Sequence, residues 1–485
     1  MRMRSGVLGL LVTGLAACRP SDILSVPPPA GVVPSGGLAN QSGAENAFAG
    51  AKGQLFTALD GAYSGGLLSW SELLTDEFTF SGFAFDGYNA GVDARITAGG
   101  GGFFEFTTDS PWGALLQARS AVLLALPNLA HYEPPSARAT VGEAYALVGY
   151  AELVLAESYC AGTTLDGVVS GGGLFYGTPL TTDSLLGVAV AHFDSAVTAA
   201  NGDATVLGLA SVGLGRALVD RGEYSAAATA VANVPTGFVY NVTMEPNLSA
   251  APFTAPVYGD AVAADYDRYF NVADQEGGNG LNFISAHDPR LTFDTSLQTL
   301  DGVYGGVVPG TWYLPTKFEA DLADIPLATG IEARLIEAEN QLPANPGMWL
   351  TDLNALRTGG CSGAEDSTCS LGSAQVAGQA SGLVPLADPG SDSARVSLLF
   401  RERAFWLFGT GARLGDLRRL IRQYGRDAEK VFPTGPYPNG NNPGLPSPLP
   451  NYGTDVNITL PTFGYYGTKD TNPNYKGCIT STKTA

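Results

Sequence analysis

Positive charge is scarce in this sequence: 26 lysines and arginines stand against 46 aspartates and glutamates, a formal net charge of −20. That balance argues against nucleic acid and anionic membrane surfaces as partners, since both call for a basic face. Histidine is rarer still, with three residues, His131, His192 and His287, scattered along the chain. Neither they nor the cysteines have the spacing of paired zinc ligands, so no metal or other cofactor is expected. Catalytic signatures are missing as well: there is no G-x-S-x-G elbow, H-E-x-x-H helix, Walker A loop or dinucleotide fingerprint. The glycine cluster "GGNGLN" reads as a loop, and "TDE" at Thr75 to Glu77 as a polar helix end. Carboxylates are plentiful, but no spacing singles out a pair suited to glycoside hydrolysis. The expectation is a protein that binds without catalysing. Beyond the leader, no uninterrupted apolar run reaches the roughly 20 residues that a bilayer span needs.

What is present begins at the amino end. Arg2 and Arg4 precede a short apolar run from Val7 to Leu15, followed by Ala16, Ala17 and Cys18. A basic segment, a short apolar segment and small residues are the parts of an export signal. Leu-Ala-Ala-Cys also resembles the lipobox of bacterial lipoproteins, which implies cleavage before Cys18 and acylation of its sulfur and its new amine. One acyl chain, at ~0.8 kcal/mol per buried CH₂, anchors only marginally, whereas several hold permanently. Residues 1–17 are thus expected to be a signal peptide and 18–40 a lipidated tether carrying "SVPPPAGVVPSGG". Arg19 stands where an aspartate would signal inner-membrane retention, so the expected location is the outer membrane, with the lipid as the only attachment. Four other cysteines, Cys160, Cys361, Cys369 and Cys478, suggest two disulfides in an exported chain. Three connectivities are open. Cys361 and Cys369 bracket the polar "SGAEDST", which a local bridge would close, leaving Cys160 with Cys478.

The rest is globular in composition, at 45% hydrophobic and 10% aromatic, while 63 glycines and 31 prolines require much loop. Apolar spacing predicts helices from about Ser42 to Tyr63, from Pro111 at a first helical position, and over Glu143 to Tyr159. The last is apolar on nearly every face except Glu143, Glu152 and Glu157, as in a helix enclosed by others. A glycine- and aromatic-rich loop is expected between "SWSELLTDEF" and "AGGGGFFEF". In "LGRALVDRGEYSAAATAVANVP", Gly215, Gly222, Tyr224 and Ala227 match the spacing of a tetratricopeptide helix pair. "AHFDSAVTAA" fits the second helix of a preceding pair. From Phe238 to Leu322 the helical pattern lapses into an insertion carrying Tyr258, Tyr266, Tyr269, Phe270, Tyr304, Trp312 and Tyr313. It resumes in "GIEARLIEAENQL", "WLTDLNALR" and "SARVSLLFRERAFWLFGTGARLGDLRRLIRQYG", and ends in a Pro-, Gly- and Asn-rich tail from Pro433.

Several of these segments, in order, carry a resemblance: the lipobox with "SDILSVPPP", then "SELLTDEF", "PWGALLQARSAVL", "ALVGYAELVLAESYCAGTTL", "DIPLATGIEARLIEAENQL" with "WLTDLNALR", and "RERAFWLFGTGARLGDLRRL". Together they resemble the SusD/RagB family over nearly the whole mature chain. The most specific part is Arg401-Glu402-Arg403 followed by Gly411, Arg413, Asp416, Leu417 and Arg418. The resemblance implies a mostly α protein of tetratricopeptide-like helical pairs, one domain over 41–485, with loop-rich parts at about 238–322 and 433–485. It also implies a surface lipoprotein that captures a nutrient, usually an oligosaccharide, for a TonB-dependent SusC-like transporter. Such a ligand would stack on aromatic faces and bond to amides. The family places such residues on loops, which offer Tyr88 with Asn89, and Tyr304 with Trp312. Trp70, Trp112, Trp349 and Trp406 lie in helical contexts and belong to the core. The charges of Arg401 to Arg419 alternate on a helix that buries Leu399, Phe405 and Trp406, which is scaffold ion pairing. A surface hydrolase of glycan or peptide and a tetratricopeptide-type protein-binding scaffold remain as alternatives.

Overall fold

A computed structural model of the chain describes residues 39–60, 66–80, 87–97, 104–134, 137–168, 173–243, 270–295, 313–316, 324–342, 347–358, 383–440, 448–461 and 472–485. The leader, the tether up to residue 38, Tyr304, Trp312, Cys361 and Cys369 lie outside them.

Helix dominates the described residues. The helices are α1 (Gln41–Asp60), α2 (Leu67–Leu73), α3 (Gly87–Asp93), α4 (Phe104–Tyr132), α5 (Ala139–Ser158), α6 (Thr182–Ala199), α7 (Ala204–Asp220), α8 (Tyr224–Val231), α9 (Gly330–Gln341), α10 (Met348–Thr358), α11 (Asp392–Trp406) and α12 (Arg413–Arg422). Several begin at a side-chain cap: Thr181, Asp203, Thr329 and Ser391 accept from the amides of Ser184, Val206, Glu332 and Ala394. Each cap satisfies one orphan helix donor and stabilises by about 1 kcal/mol.

The helices associate two by two, α1 with α4, α5 with α6, α7 with α8 and α9 with α10, and α4–α5, α6–α7 and α8–α9 contacts stack one pair on the next. This is the tetratricopeptide-like scaffold that the spacing predicts. Its close approach depends on missing side chains. Phe193 of α6 wedges between Gly149 of α5 and Gly213 of α7, where an added Cβ would lie 2.9 and 2.3 Å from its ring. The turn between α7 and α8 runs through Gly222 at φ +77°, a left-handed conformation that favours glycine.

Helix α5 is the enclosed element, with every residue from Ala146 to Ser158 buried. By length and composition α5 and the Pro111–Tyr132 part of α4 could each cross a membrane. The three carboxylates of α5 instead find partners from the elements packed around it. Glu152 lies between Arg119 Nε and His192 Nδ1, both at 2.7 Å. Glu157 receives Arg216 Nε and Nη2, also at 2.7 Å, and Glu143 receives Lys52 Nζ and the Tyr240 hydroxyl at 2.6 Å. Burying a carboxylate is tolerable only with such partners.

Two expectations need correction. Helix α4 starts at Phe104 and not at Pro111, which sits inside it. The proline ring has a helix-compatible φ and forfeits one hydrogen bond, and tertiary packing outweighs that cost. The expected loop after "SWSELLTDEF" contains the short strand β1 (Phe78–Phe80) and α3. Trp70, Trp112, Trp349 and Trp406 are all buried, as expected. The last two belong to a smaller core with Leu335, Leu353 and Leu399 around α9, α10 and α11.

The insertion has no α-helix among its described residues, but short strands organise it. Along the chain β2 (Gly167–Val168) and β3 (Leu174–Phe175) come first, then β4 (Val239–Val242), β5 (Phe270–Val272), β6 (Phe293–Asp294), β7 (Leu314–Pro315) and β8 (Ile325–Thr329). β4 pairs antiparallel with β8 across a bulge, so the two ends of the insertion are tied together. β1 pairs with β5 (Phe78 with Val272, Thr79 with Asn271), β2 with β3, and β6 with β7. The tail is irregular yet anchored. Cys160 and Cys478 are joined by a disulfide with Cα atoms 5.6 Å apart. The Cys160 and Ile479 amides donate to the carbonyls of Ile458 and Ala161.

Candidate functional site

The arginine-rich motif is the first place to look for chemistry, and it proves to be spent on the scaffold. Asp416 accepts from Arg403 Nε at 2.8 Å and Arg419 Nη2 at 2.7 Å. Arg419 also contacts Glu339 and lies 3.2 Å from Asp220. Burial opposes ionisation of Asp416, and the two guanidinium groups overcome it, drawing the carboxyl down to about 2. Glu402 takes Arg290 and Arg357 at 2.7 and 2.9 Å, and Arg418 Nη1 donates to the carbonyls of Ala156, Glu157 and Tyr159 at the end of α5. "TDE" is likewise structural. Asp76 receives Arg413 Nε at 2.7 Å, and Glu77 accepts the Gly409 amide at 2.8 Å.

A better candidate lies where the strands next to the two expected ligand segments meet. β1 leads towards α3, the helix carrying Tyr88 and Asn89. β7 follows directly on Trp312 and Tyr313. The structure joins β1 and Tyr313 through β5: Thr79 pairs with Asn271, whose Oδ1 accepts the Tyr313 amide at 2.9 Å. Tyr313 stands edge-on to Phe293, with ring centroids 5.8 Å apart. Both rings are half-buried, and Thr292 and Thr316 sit beside them on the β6–β7 ladder, the Thr316 amide donating to the Thr292 carbonyl at 2.9 Å. The result is a shelf of aromatic edges, an amide and hydroxyls. Such a mixture suits a sugar, whose C–H faces stack while its hydroxyls need partners.

The individual residues fare differently. Trp312 and Tyr304 lie outside the described residues, and so does the side chain of Tyr88. Asn89 is 2% exposed on α3, so its side chain packs inside the structure and not on an open loop. Its loop assignment fails because "GYNAGVD", a weak helix former on its own, is held by tertiary bonds: Asp93 at its end accepts from the Phe80 amide at 3.0 Å and the Tyr437 hydroxyl at 2.7 Å. Asn271, Phe293 and Tyr313 are the shelf residues to add. Tyr313 was legible beside Trp312, whereas nothing local marks Asn271. Among the described residues no group of three or more His, Cys, Asp or Glu side chains is placed to hold a metal ion.

A second surface is apolar. Ser120, Leu123 and Leu124 of α4 face Leu174, Phe175 and Tyr176 across a groove of about 310 Å³. Leu124, Leu174 and Phe175 are 59%, 63% and 54% exposed. Asp166 at its edge is engaged with the Gly177 amide and Asn472 Nδ2 at 2.8 and 2.7 Å, so the groove is walled mainly by hydrocarbon.

No protein-family model and no curated protein matches the sequence. Solved structures do. A putative sugar-binding protein from Bacteroides vulgatus ATCC 8482 superposes with a TM-score of 0.60 at 14% identity, covering 91% of this chain and 98% of that one. A SusD-like carbohydrate-binding protein from the same organism gives 0.56 at 17% identity, over 82% and 87%. A laminarin-binding SusD-like protein gives 0.51 at 14%, over 81% and 96%. The fold is SusD-like. In this SusD-like frame the paired helices are the scaffold, and the β1–β5 and β6–β7 ladders hold the shelf, whose Phe293 and Tyr313 pack against the main core.

Proposed function

We propose that the chain is a member of the SusD/RagB family, a surface lipoprotein that binds an oligosaccharide and passes it to a TonB-dependent SusC-like transporter in the outer membrane. The observation that carries this reading is the likeness, along nine-tenths of the chain, to a structure described as a putative sugar-binding protein. The shelf of Tyr313, Phe293 and Asn271 supplies the chemistry such a ligand requires, and Trp312 and Tyr304 belong to the same insertion. Cys18 is the lipid attachment, and the protein has no turnover of its own. The exposed Leu124, Leu174 and Phe175 favour a protein contact at the second surface, since contiguous exposed apolar groups mark such contacts. The transporter is its natural occupant.

A glycan array followed by calorimetric titration on the protein lacking its leader tests the ligand class. Binding without new products after prolonged incubation supports capture. Turnover that disappears on mutating a single carboxylate would instead make the protein a hydrolase. Cys18→Ser should abolish palmitate labelling and release the protein from membranes, and a transporter gene adjacent to this one is the expected genomic arrangement.

A further inference from the structure

One guanidinium of the arginine-rich motif escapes the pairing that holds the others. Both oxygens of the buried Glu402 already accept from Arg290 and from Arg357, at 2.7 to 3.2 Å. Asp288 is taken by Arg290 through two bonds, at 2.9 and 2.8 Å. Arg401 is left 3.8 Å from Glu402, beyond hydrogen-bond reach, and makes no hydrogen bond among the described residues. Three guanidinium groups thus share two carboxylates, in a protein whose overall charge is −20.

Arg401 is nevertheless held in place. Its guanidinium lies over the Phe405 ring one turn along α11, 4.4 Å from the centroid, and that of Arg290 lies 5.2 Å from the same centroid. Its side chain is 32% exposed, so part of this ordered cation faces solvent. Burial and the two neighbouring guanidinium groups disfavour its charge, against the pull of Glu402 and Asp288. An arriving anion would supply the missing acceptor and offset that repulsion. The place is also close to the shelf. Arg290 precedes Phe293 by three residues, at most about 11 Å of extended chain, and Thr292 between them is exposed.

We propose that Arg401 is an oxyanion-binding residue beside the shelf, which makes the preferred ligand an acidic saccharide, one carrying a carboxylate or a sulfate ester. Both groups present oxygens that a planar guanidinium fork can bind in pairs. The negative charge of the whole protein does not forbid this, because salt screens distant charges beyond roughly 8 Å while the fork acts in contact. That the oxyanion belongs to a saccharide rests on the function proposed above, whereas the unpaired arginine does not.

The test uses the protein lacking its leader. At fixed ionic strength, galacturonate or galactose 6-sulfate should raise the melting temperature of the parent more than galactose does, and whichever acts identifies the oxyanion. Arg401→Gln should erase the difference. A galacturonate trisaccharide should bind about tenfold more tightly than its methyl ester, the same chain without the charge, and Arg401→Gln should bind the two alike. Arg401→Lys keeps the charge without the fork and should retain only part of the preference. Without ligand, Arg401→Gln should melt within about 2 °C of the parent, since no hydrogen bond is lost. If no oligosaccharide binds while the acidic sugars still separate parent from variant, the capture reading fails and the oxyanion site stands. Equal responses of parent and variant to the acidic sugars overturn the site, even where neutral glycans bind. A larger fall in the unliganded variant's melting temperature also overturns it, because Arg401 would then be part of the scaffold.

Discussion

Asp416→Asn probes what the buried arginines do. The native carboxylate serves Arg403 and Arg419, and all three side chains are at most 4% exposed. An amide of the same shape keeps one acceptor oxygen but loses the charge. Arg419 retains Glu339 and Asp220, whereas the recorded ion pair of Arg403 is with Asp416. A surface pair would be worth at most about 1 kcal/mol, but removing one partner of a buried pair costs about 3–5 kcal/mol, because the remaining charge keeps its desolvation penalty. At roughly 1–2 °C per kcal/mol, extrapolating the size trend to a chain of this length, the melting temperature should fall by about 3–10 °C. Arg403→Met combined with Asp416→Leu removes charge and partner together and should recover much of the loss. The pH profile adds a second check. With the folded carboxyl near 2 and the unfolded one near ~4, its contribution is present above the unfolded value and lost as pH falls through about 2, so the gap between parent and variant should close over that window. Calorimetry reads both quantities. If Asp416→Asn melts within a degree of the parent at neutral pH, the cluster does not hold these helices together.

Phe193→Ala should cost about 3–5 kcal/mol by opening a cavity between Gly149 and Gly213, neither of which has a side chain to fill it, and urea unfolding measures that loss. Replacing both Cys160 and Cys478 by serine should destabilise the protein by about 2–5 kcal/mol and make the tail the first site of limited proteolysis; a tail that stays resistant would mean its hydrogen bonds suffice. Tyr313→Ala should weaken binding of the array-selected glycan roughly tenfold, through loss of about 1–2 kcal/mol of stacking, and unchanged affinity would place the ligand elsewhere. Phe175→Asp should end co-purification with the transporter and leave glycan binding intact, and unaltered co-purification would refute a protein contact at the groove.

Local pattern determined much of the frame. Apolar spacing marked α5 as the enclosed helix, Gly222 with Tyr224 marked the turn between α7 and α8, and all four helical tryptophans proved buried, because periodicity and turn chemistry act within a few residues. The Pro- and Gly-dense insertion and tail were legible for the same reason. Which charges meet was not. Asp76 finds Arg413, Glu402 finds Arg290 and Arg419 finds Glu339 across long separations, and no local rule couples residues so far apart. Two segments were misread on the same ground: "GYNAGVD" is a helix only because Phe80 and Tyr437 hold its last residue, and Pro111 lies inside a helix that neighbouring helices stabilise. Helices and turns are properties of short stretches. The shelf exists only once β1, β5 and the β6–β7 ladder are brought together, because the contacts that define it join separate parts of the chain.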